Sequence, residues 1–553
     1  MSRSVGHIGE VATIEDYESN ELVRSDRLEY RVERLADGTV WHHERMVDDS
    51  GELIFDQRHQ ITIAIGSGQR GRAYLIEKEG TLYQSPVGWY ATDHRFGLSP
   101  GYEPGHHRRF ERRIDSGCLY CHAGRMNANP EIPSHSDSPV FAETAIGCER
   151  CHGPGKRHIQ LHAAQSSLKD VDPIVNPARL DHAKSEAVCN QCHIQGHYAI
   201  RRFGRDFFSF RPGDRLEDAL VILVGGDRVT AEGQSLVVSQ VEQMRASACY
   251  LGTDGALGCT SCHNPHYHPT ETERVAYYRD RCLSIHSEQT CTLPAIEQEA
   301  TPAKGSCVHC HMPSLQETNV PHTPQTNHQI TRHNARPLAT PTNPLPAAWL
   351  HVFDDAERNL PAWEVRRAKG IALMTDAWNR SDIQLAHQAR AFLLPDNVDE
   401  NDINRAVADL GVDVPALAEL GASYLLTDDP QFAKVCWRRV LELAPDNDTA
   451  LGGLAAILLN EGDYLGCERH LNRLIELYPF ESQWYAQRAK LYWQAQDEPL
   501  ALADGERFLE LIPDSVAMRK WIIEGYQRTG KPARAAIHAA LLERLAAPTT
   551  LAP

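Results

Sequence analysis

Residues 148 to 158 read "CERCHGPGKRH". Two cysteines stand three apart, a histidine follows at once, and a second histidine comes six residues later across a Gly-Pro-Gly turn. The first five letters set a pattern that recurs as "CLYCH" at 118 to 122, "CNQCH" at 189 to 193, "CTSCH" at 259 to 263 and "CVHCH" at 307 to 311. Every Cys-x-x-Cys of the chain is followed by His. With 28 histidines in 553 residues, five accidental placements have odds on the order of one in a few million, so the pattern signals c-type haem attachment.

Two thiols at this spacing can add to the two vinyl groups of one porphyrin, and the adjacent histidine then reaches the iron as proximal ligand. The expected attachment pairs are Cys118 with Cys121, Cys148 with Cys151, Cys189 with Cys192, Cys259 with Cys262 and Cys307 with Cys310. His122, His152, His193, His263 and His311 are the expected proximal ligands. A zinc ribbon would join two Cys-x-x-Cys pairs on one ion; it leaves an odd pair over and gives the five histidines no task. A thioredoxin-like redox motif would need a βαβ setting that does not recur here.

An iron with a proximal histidine keeps a sixth position, and a second histidine would close it. Residues 94 to 333 hold fifteen histidines beyond the five of the motifs, more than solvent exposure explains. His158, His266, His322 and His328 are the expected distal ligands, whereas His106, His107, His135, His162, His182 and His197 read as surface or hydrogen-bonded residues. His158 is too close in sequence to fold back onto the iron of His152, and a neighbouring haem is its expected partner.

Thirteen of the 15 cysteines and 24 of the 28 histidines precede residue 334, so the chemistry sits in the first part of the chain. The remaining cysteines, Cys436 and Cys467, take positions where a small apolar residue packs. A formal charge of −18 argues against nucleic acid and anionic lipid surfaces as partners. The longest apolar runs, such as "ALVILVGG" at 219 to 226, are far shorter than the roughly 20 residues of a membrane-spanning helix.

Residues 1–93 are expected to be a β-rich region. Apolar alternation from 26 to about 90 breaks at Asp37-Gly38 and Ser50-Gly51, as in hairpins, and "GSGQRGR" at 66 to 72 lacks the Gly-Lys-Ser/Thr of a phosphate loop and reads as a tight turn. Residues 94–334 lack long amphipathic patterns and form the expected haem domain, its motifs on short helices. Residues 335–349 are proline-rich and read as a semi-rigid linker. Residues 350–413 are helical, a cap or an eroded repeat. From 414 to 545, Pro445, Pro479 and Pro513 recur every 34 residues, the tetratricopeptide period. Gly421, Ala455 and Ala489 take the small position of the first helix of each unit, Ala433, Cys467 and Ala501 that of the second, and 516 to 545 form a shortened fourth unit. Stacked helix pairs leave a concave face suited to a segment of another protein. The fold class is therefore α+β multidomain: a small N-terminal β region, a haem-packed domain of irregular chain and short helices, and an all-α solenoid.

The stretches "IGSGQRGRAYL", "SPVGWY", "LSPGYE", "AIGCERCHGPGKRH", "VCNQCH", "VEQM", "LGCTSCHNPH", "RVAYYRDRCL" and "CVHCHMP", with "HTPQTNHQITR" after it, resemble the multihaem cytochrome c family that carries C-terminal tetratricopeptide repeats, related to the nitrifier tetrahaem cytochromes. The resemblance implies an exported electron carrier, and it implies that His158 and His266 are distal ligands and His322 and His328 a late pair. Three departures stand out. The chain opens at "MSRSV", which resembles the interior of a family segment, so an upstream motif and an export signal are expected to precede it. Gln240 stands where relatives often have His before "VEQM". At "CLSIH", 282 to 286, Ile285 replaces a second cysteine, so a sixth haem at Cys282 and His286 is an open alternative to a Cys282 thiol free to pair with Cys291 or Cys249.

The leading expectation is an exported, periplasmic or otherwise extracytoplasmic electron-transfer protein that binds five haem c groups, meets a redox partner protein, and docks a protein or peptide on its repeat. Two alternatives stay open: a haem enzyme of the nitrite reductase or hydroxylamine oxidoreductase kind with one open iron, and a repeat-based adaptor with structural metal sites.

Overall fold

The computed structural model describes residues 4–546 apart from 20, 49, 92, 106, 130, 131, 133, 165–171, 195, 226–238, 288–290, 295, 297–303, 314–325 and 332–349. His106, His322 and the segment read as a linker, 335–349, lie outside the described residues. The fold is mixed α/β and has two compact units, each discontinuous in sequence. One comprises Ile146–Lys369 with Met1–Ser2, the other Arg3–Ala145 with Gly370–Pro553. The first motif, 118–122, belongs to the second of these; the other four belong to the first.

In the unit that holds the chain's early residues, Val23–Ser25, Leu28–Arg34, Val40–Val47 and Leu53–Ile61 form an antiparallel sheet in sequence order. Alternating side chains of Leu28–Arg34 turn inward, with Tyr30 fully buried. The break at Asp37-Gly38 is a hairpin turn: Thr39 donates its N–H and Oγ1–H to Asp37 Oδ1 at 2.9 and 2.7 Å, and Gly38 takes a φ of +86° that a side chain would resist. A second, seven-stranded sheet includes Ile63–Ile65 and Gly71–Lys78, and the glycine-rich stretch expected to be a turn joins these two antiparallel strands.

Helix pairs follow the 34-residue spacing: Val414–Leu426 with Pro430–Leu443, Asp448–Glu461 with Tyr464–Leu477, Ser482–Gln494 with Glu498–Leu511, and Val516–Arg528 with Pro532–Ala546. The fourth pair is as long as the others rather than shortened. Pro445, Pro479 and Pro513 each fall in the turn just after a second helix, where a residue without N–H ends the helix. Ala433, Cys467 and Ala501 are fully buried, and a Cβ at Gly421 would come within 2.6 Å of Trp437 Nε1, so the small positions are set by helix contact. Cys436 is fully buried too. Ahead of the repeat run the helices Ala362–Arg380, Ile383–Leu393 and Ile403–Leu410.

The early sheets and the repeat share one core. Tyr30, Tyr74, Trp89 and Phe110 pack in a cluster that includes Leu545, with Phe480 against it. Three arginines tie sheet residues to the repeat. Arg109 bonds Glu44 and Asp514, Arg113 bonds Asp448 and Glu481 at 2.6 and 2.7 Å, and Arg544 bonds Asp48 at 2.8 Å. Glu44 is fully buried, accepts from Tyr30 Oη at 2.8 Å, and needs the Arg109 charge beside it, since an unpaired buried carboxylate costs several kcal/mol, roughly 3–5.

The other unit is built differently. Its motifs lie on the helices Glu149–His152, His182–His193, Cys259–Cys262 and Cys307–His311. The helices Lys156–Ala163, Cys259–Cys262, Arg274–Leu283 and Cys307–His311 bury none of their residues. A three-stranded sheet, with the apolar run Leu220–Val224 between Tyr198–Arg201 and His351–Val352, buries Leu220, Val221, Ile222, Leu223 and Val352.

Candidate functional site

Cys148 of the second motif and His263 of the fourth are caps rather than helical residues, and the first motif sits least completely on a helix. Its helix is Ser116–Leu119, so Cys118 is helical while Cys121 and His122 lie in the turn that follows. Asp115 Oδ1 accepts from Cys118 N–H at 2.9 Å and caps the helix. The turn is closed by His122 N–H donating to Leu119 O at 2.9 Å, and the His122 carbonyl accepts from Ser4 Oγ. A strand, Ala123–Ala128, begins at once, and its extended backbone is what stops the helix before the second cysteine. Cys121 is half-buried. At the last motif both cysteines are helical, with Cys307 half-buried and Cys310 exposed. None of the ten motif cysteines is in a disulfide.

The other motif histidines are held by ring or backbone. His152 donates Nδ1–H to Val175 O at 2.8 Å while Val175 N–H returns to His152 O at 3.1 Å. His311 repeats this two-way pairing with Thr331, at 2.9 Å in both directions. His263 Nδ1 meets Tyr278 Oη at 3.3 Å. Engaging Nδ1 fixes ring orientation and leaves Nε2 as the nitrogen with a free lone pair, the arrangement of metal-ligating histidines. His193 is hydrogen-bonded by the Gln240 side chain, and its carbonyl accepts from Ser239 Oγ at 2.9 Å; Gln240, the residue standing where relatives often have His, therefore adjoins the imidazole of the third motif.

Two imidazole pairs face each other. The rings of His152 and His266 have centroids 5.8 Å apart at an interplanar angle of 15°, and those of His263 and His328 lie 6.3 Å apart at 30°. Two imidazoles on opposite sides of one metal, each with a bond of about 2 Å, place their centroids roughly 6 Å apart, so both pairs have the spacing of axial ligands. His328 is set by Nδ1 to Thr326 O at 2.9 Å and by its N–H to Gln243 Oε1 at 2.8 Å. Burial lowers the pKa of His263, His193 and His328, and neighbouring imidazoles lower His263 and His328 further, which favours the neutral, ligating form.

The thiols of successive motifs are neighbours. Cys151 is pushed up by burial and by Cys189 and Cys192. Cys189 and Cys259 hydrogen-bond each other, which lowers the first and raises the second. Buried Glu186 accepts from Cys259 N–H at 3.1 Å and from its Sγ at 3.2 Å, and so caps the helix that carries the fourth motif. Cys282 is pushed up to about 11, first by burial and then by Cys307 and Cys262 beside it. Cys282, Cys291 and Cys249 are all free thiols.

His158 has a different neighbourhood. Its ring faces His162, with centroids 4.5 Å apart, and both share the carboxylate of Asp172. Asp172 does not stand out in the sequence, where His162 reads as a surface residue; a histidine four residues after another on a helix is the signal available.

These residues fit haem c: paired thiols stand ahead of imidazoles, three of them held through Nδ1, and two motif imidazoles face a second ring at axial spacing. Residues 103–153, which include the first two motifs, match the model of the family described as cytochrome c554 and c-prime, and this region is cytochrome c-like and binds haem c. No curated protein sequence matches the chain significantly. Among solved structures, MamA of AMB-1 is 19% identical over 32% of this chain and 96% of its own, with a TM-score of 0.26. MamA residues 41 to the end from Desulfovibrio magneticus RS-1 is 16% identical over 33% of this chain and 97% of its own, with a TM-score of 0.28.

Proposed function

We propose that this protein is an exported multihaem c-type cytochrome that passes electrons between redox partners and docks a partner protein through its helical repeat. The observation that carries the reading is the pair of facing imidazoles, His152 with His266 and His263 with His328, at 5.8 and 6.3 Å. Haem bound at such sites supplies a one-electron iron centre whose potential follows its axial ligands and surroundings. The chain's residues do the rest. Val175 O, Tyr278 Oη and Thr331 O orient the proximal rings, and the distal rings close the sixth positions, which favours electron transfer over substrate binding.

The neighbouring thiols of the second, third and fourth motifs, with Cys282 between Cys262 and Cys307, support closely spaced porphyrins in one array. Five sites are proposed, the first at Cys118 and Cys121 and the last at Cys307 and Cys310. Ile285 stands where a second attachment cysteine would be, which favours a thiol at Cys282 over a sixth attachment. Haem attachment outside the cytoplasm would place the protein in the periplasm or another extracytoplasmic space, and no helix among the described residues is long and apolar enough to cross a membrane. Intact-mass measurement of residues 1–553, produced with export, should give a covalent excess of five haems. Six haems, with the extra one on a peptide containing Cys282, would overturn the count, and extraction of all colour by acid-acetone would overturn the reading.

A further inference from the structure

The helix Lys156–Ala163 places His158 and His162 four residues apart, one turn on the same face. A single carboxylate bridges them. His158 Nδ1 lies 2.8 and 2.9 Å from the two oxygens of Asp172, and His162 Nε2 lies 3.1 Å from Oδ2. The carboxylate is held from behind, since Ile174 N–H donates to Oδ1 at 3.2 Å. One donor atom from each of the three side chains falls within 4.8 Å of the others.

The imidazole–carboxylate separations are close to those a metal needs. With bonds of about 2.1 Å, ligand atoms in tetrahedral or octahedral geometry lie roughly 3.0–3.4 Å apart, and with the three donor atoms already within 4.8 Å of one another, side-chain rotation on the order of an ångström would convert the hydrogen-bonded triad into a coordination face. The helix buries none of its side chains, so packing gives no reason for two imidazoles and a carboxylate to converge here. All three side chains are about one-third to one-half exposed, which leaves the remaining positions of an ion open to water or to a further ligand.

We infer that His158, His162 and Asp172 form a surface site for a divalent transition-metal ion of the zinc class. Two imidazole nitrogens and one carboxylate oxygen favour Zn2+, Ni2+ or Cu2+ over Mg2+ or Ca2+, which prefer all-oxygen sets. The site uses Nδ1 of His158 and leaves its Nε2 unused, so it stands independently of whether that nitrogen meets an iron. His162 and Asp172 have no part in the proposed haem ligation, and they separate the two roles.

Calorimetric titration of the haem-loaded protein with Zn2+ tests the site, with His162→Ala and Asp172→Asn compared against the unaltered chain. The expected result is one equivalent of Zn2+ bound by the unaltered chain and weakened roughly 10–100-fold in each variant, with the haem absorption spectrum of His162→Ala unchanged. Zn2+ binding in both variants at the affinity and stoichiometry of the unaltered chain would overturn the inference. The spin state of His158→Ala, read without added Zn2+, reports separately on iron ligation by that residue, so either assignment can fail alone.

Discussion

The repeat and the haem-bearing unit solve the problem of stability in opposite ways. Neighbouring helix pairs of the repeat pack one apolar core between them: Leu471, Leu474 and Tyr478 are fully buried in a cluster with Leu451, Leu458 and Trp484. Among the helices of the other unit, Arg274–Leu283, Cys259–Cys262 and Cys307–His311 have no fully buried residue. Burial of apolar surface is the main favourable term in folding, so a chain segment that buries little must obtain that term from a ligand. The difference leads to the expectation that haem stabilises the second of these regions, whereas the repeat packs on apolar side chains, its own and those of the early sheets.

The largest expected effect separates the two regions. Replacing both cysteines by serine in the four motifs from 148 to 311 should leave amides of Arg274–Leu283 exchanging nearly as fast as in an unfolded chain. Those of Asp448–Glu461 and Tyr464–Leu477 should keep their protection. Equal protection of both regions in the variant would break the comparison.

A smaller effect is expected within the repeat. Leu474 is fully buried, and Leu474→Ala should cost about 2–5 kcal/mol, measured as a lower denaturant midpoint for the repeat. A cost under about 1 kcal/mol would mean that the site collapses around the gap.

Acid should weaken the sheet region by a comparable or smaller amount. His42 is fully buried, donates to or accepts from Ser85 Oγ at 2.7 Å, and is lowered to about 3, first by burial and then by His43 and His59. Below about 6.5 the unfolded chain binds a proton at this residue that the folded chain refuses until about pH 3. Its contribution is therefore complete above about pH 6.5 and is lost as pH falls from there toward 3, by about 3 kcal/mol at pH 4. His42→Gln should flatten the loss of stability between about pH 7 and 4. An unchanged slope would show that His42 is not the titrating group.

Local signals in the sequence reach far. The five motifs, the short helices that carry them and the turn at Asp37-Gly38 depend on residues within one or two turns of one another, and the 34-residue period depends on residues recurring at a fixed interval; spacing exposes both kinds of relation. The turn at Cys121 does not show, because the strand that ends the first motif's helix is fixed by its pairing with Ser136–Ala145. Nor does the shared core of the early sheets and the repeat. Arg109 finds Asp514 and Arg113 finds Asp448 across more than three hundred residues, and a lone charged residue carries no periodicity that names its partner. The fourth helix pair reads as short because no proline at the repeat spacing closes it, although its length depends on helix contacts. Asp172 is illegible for the same reason as Asp514: a lone carboxylate carries no periodicity that names His158 and His162 as its partners.

The account's central claim is that His152 with His266 and His263 with His328 are axial pairs. Electron spin resonance of His266→Ala and of His328→Ala, each as exported holoprotein, tests it most directly. Each variant should convert one low-spin haem to high spin while the covalent haem count stays the same. Spectra identical to that of the unaltered protein in both variants would contradict it.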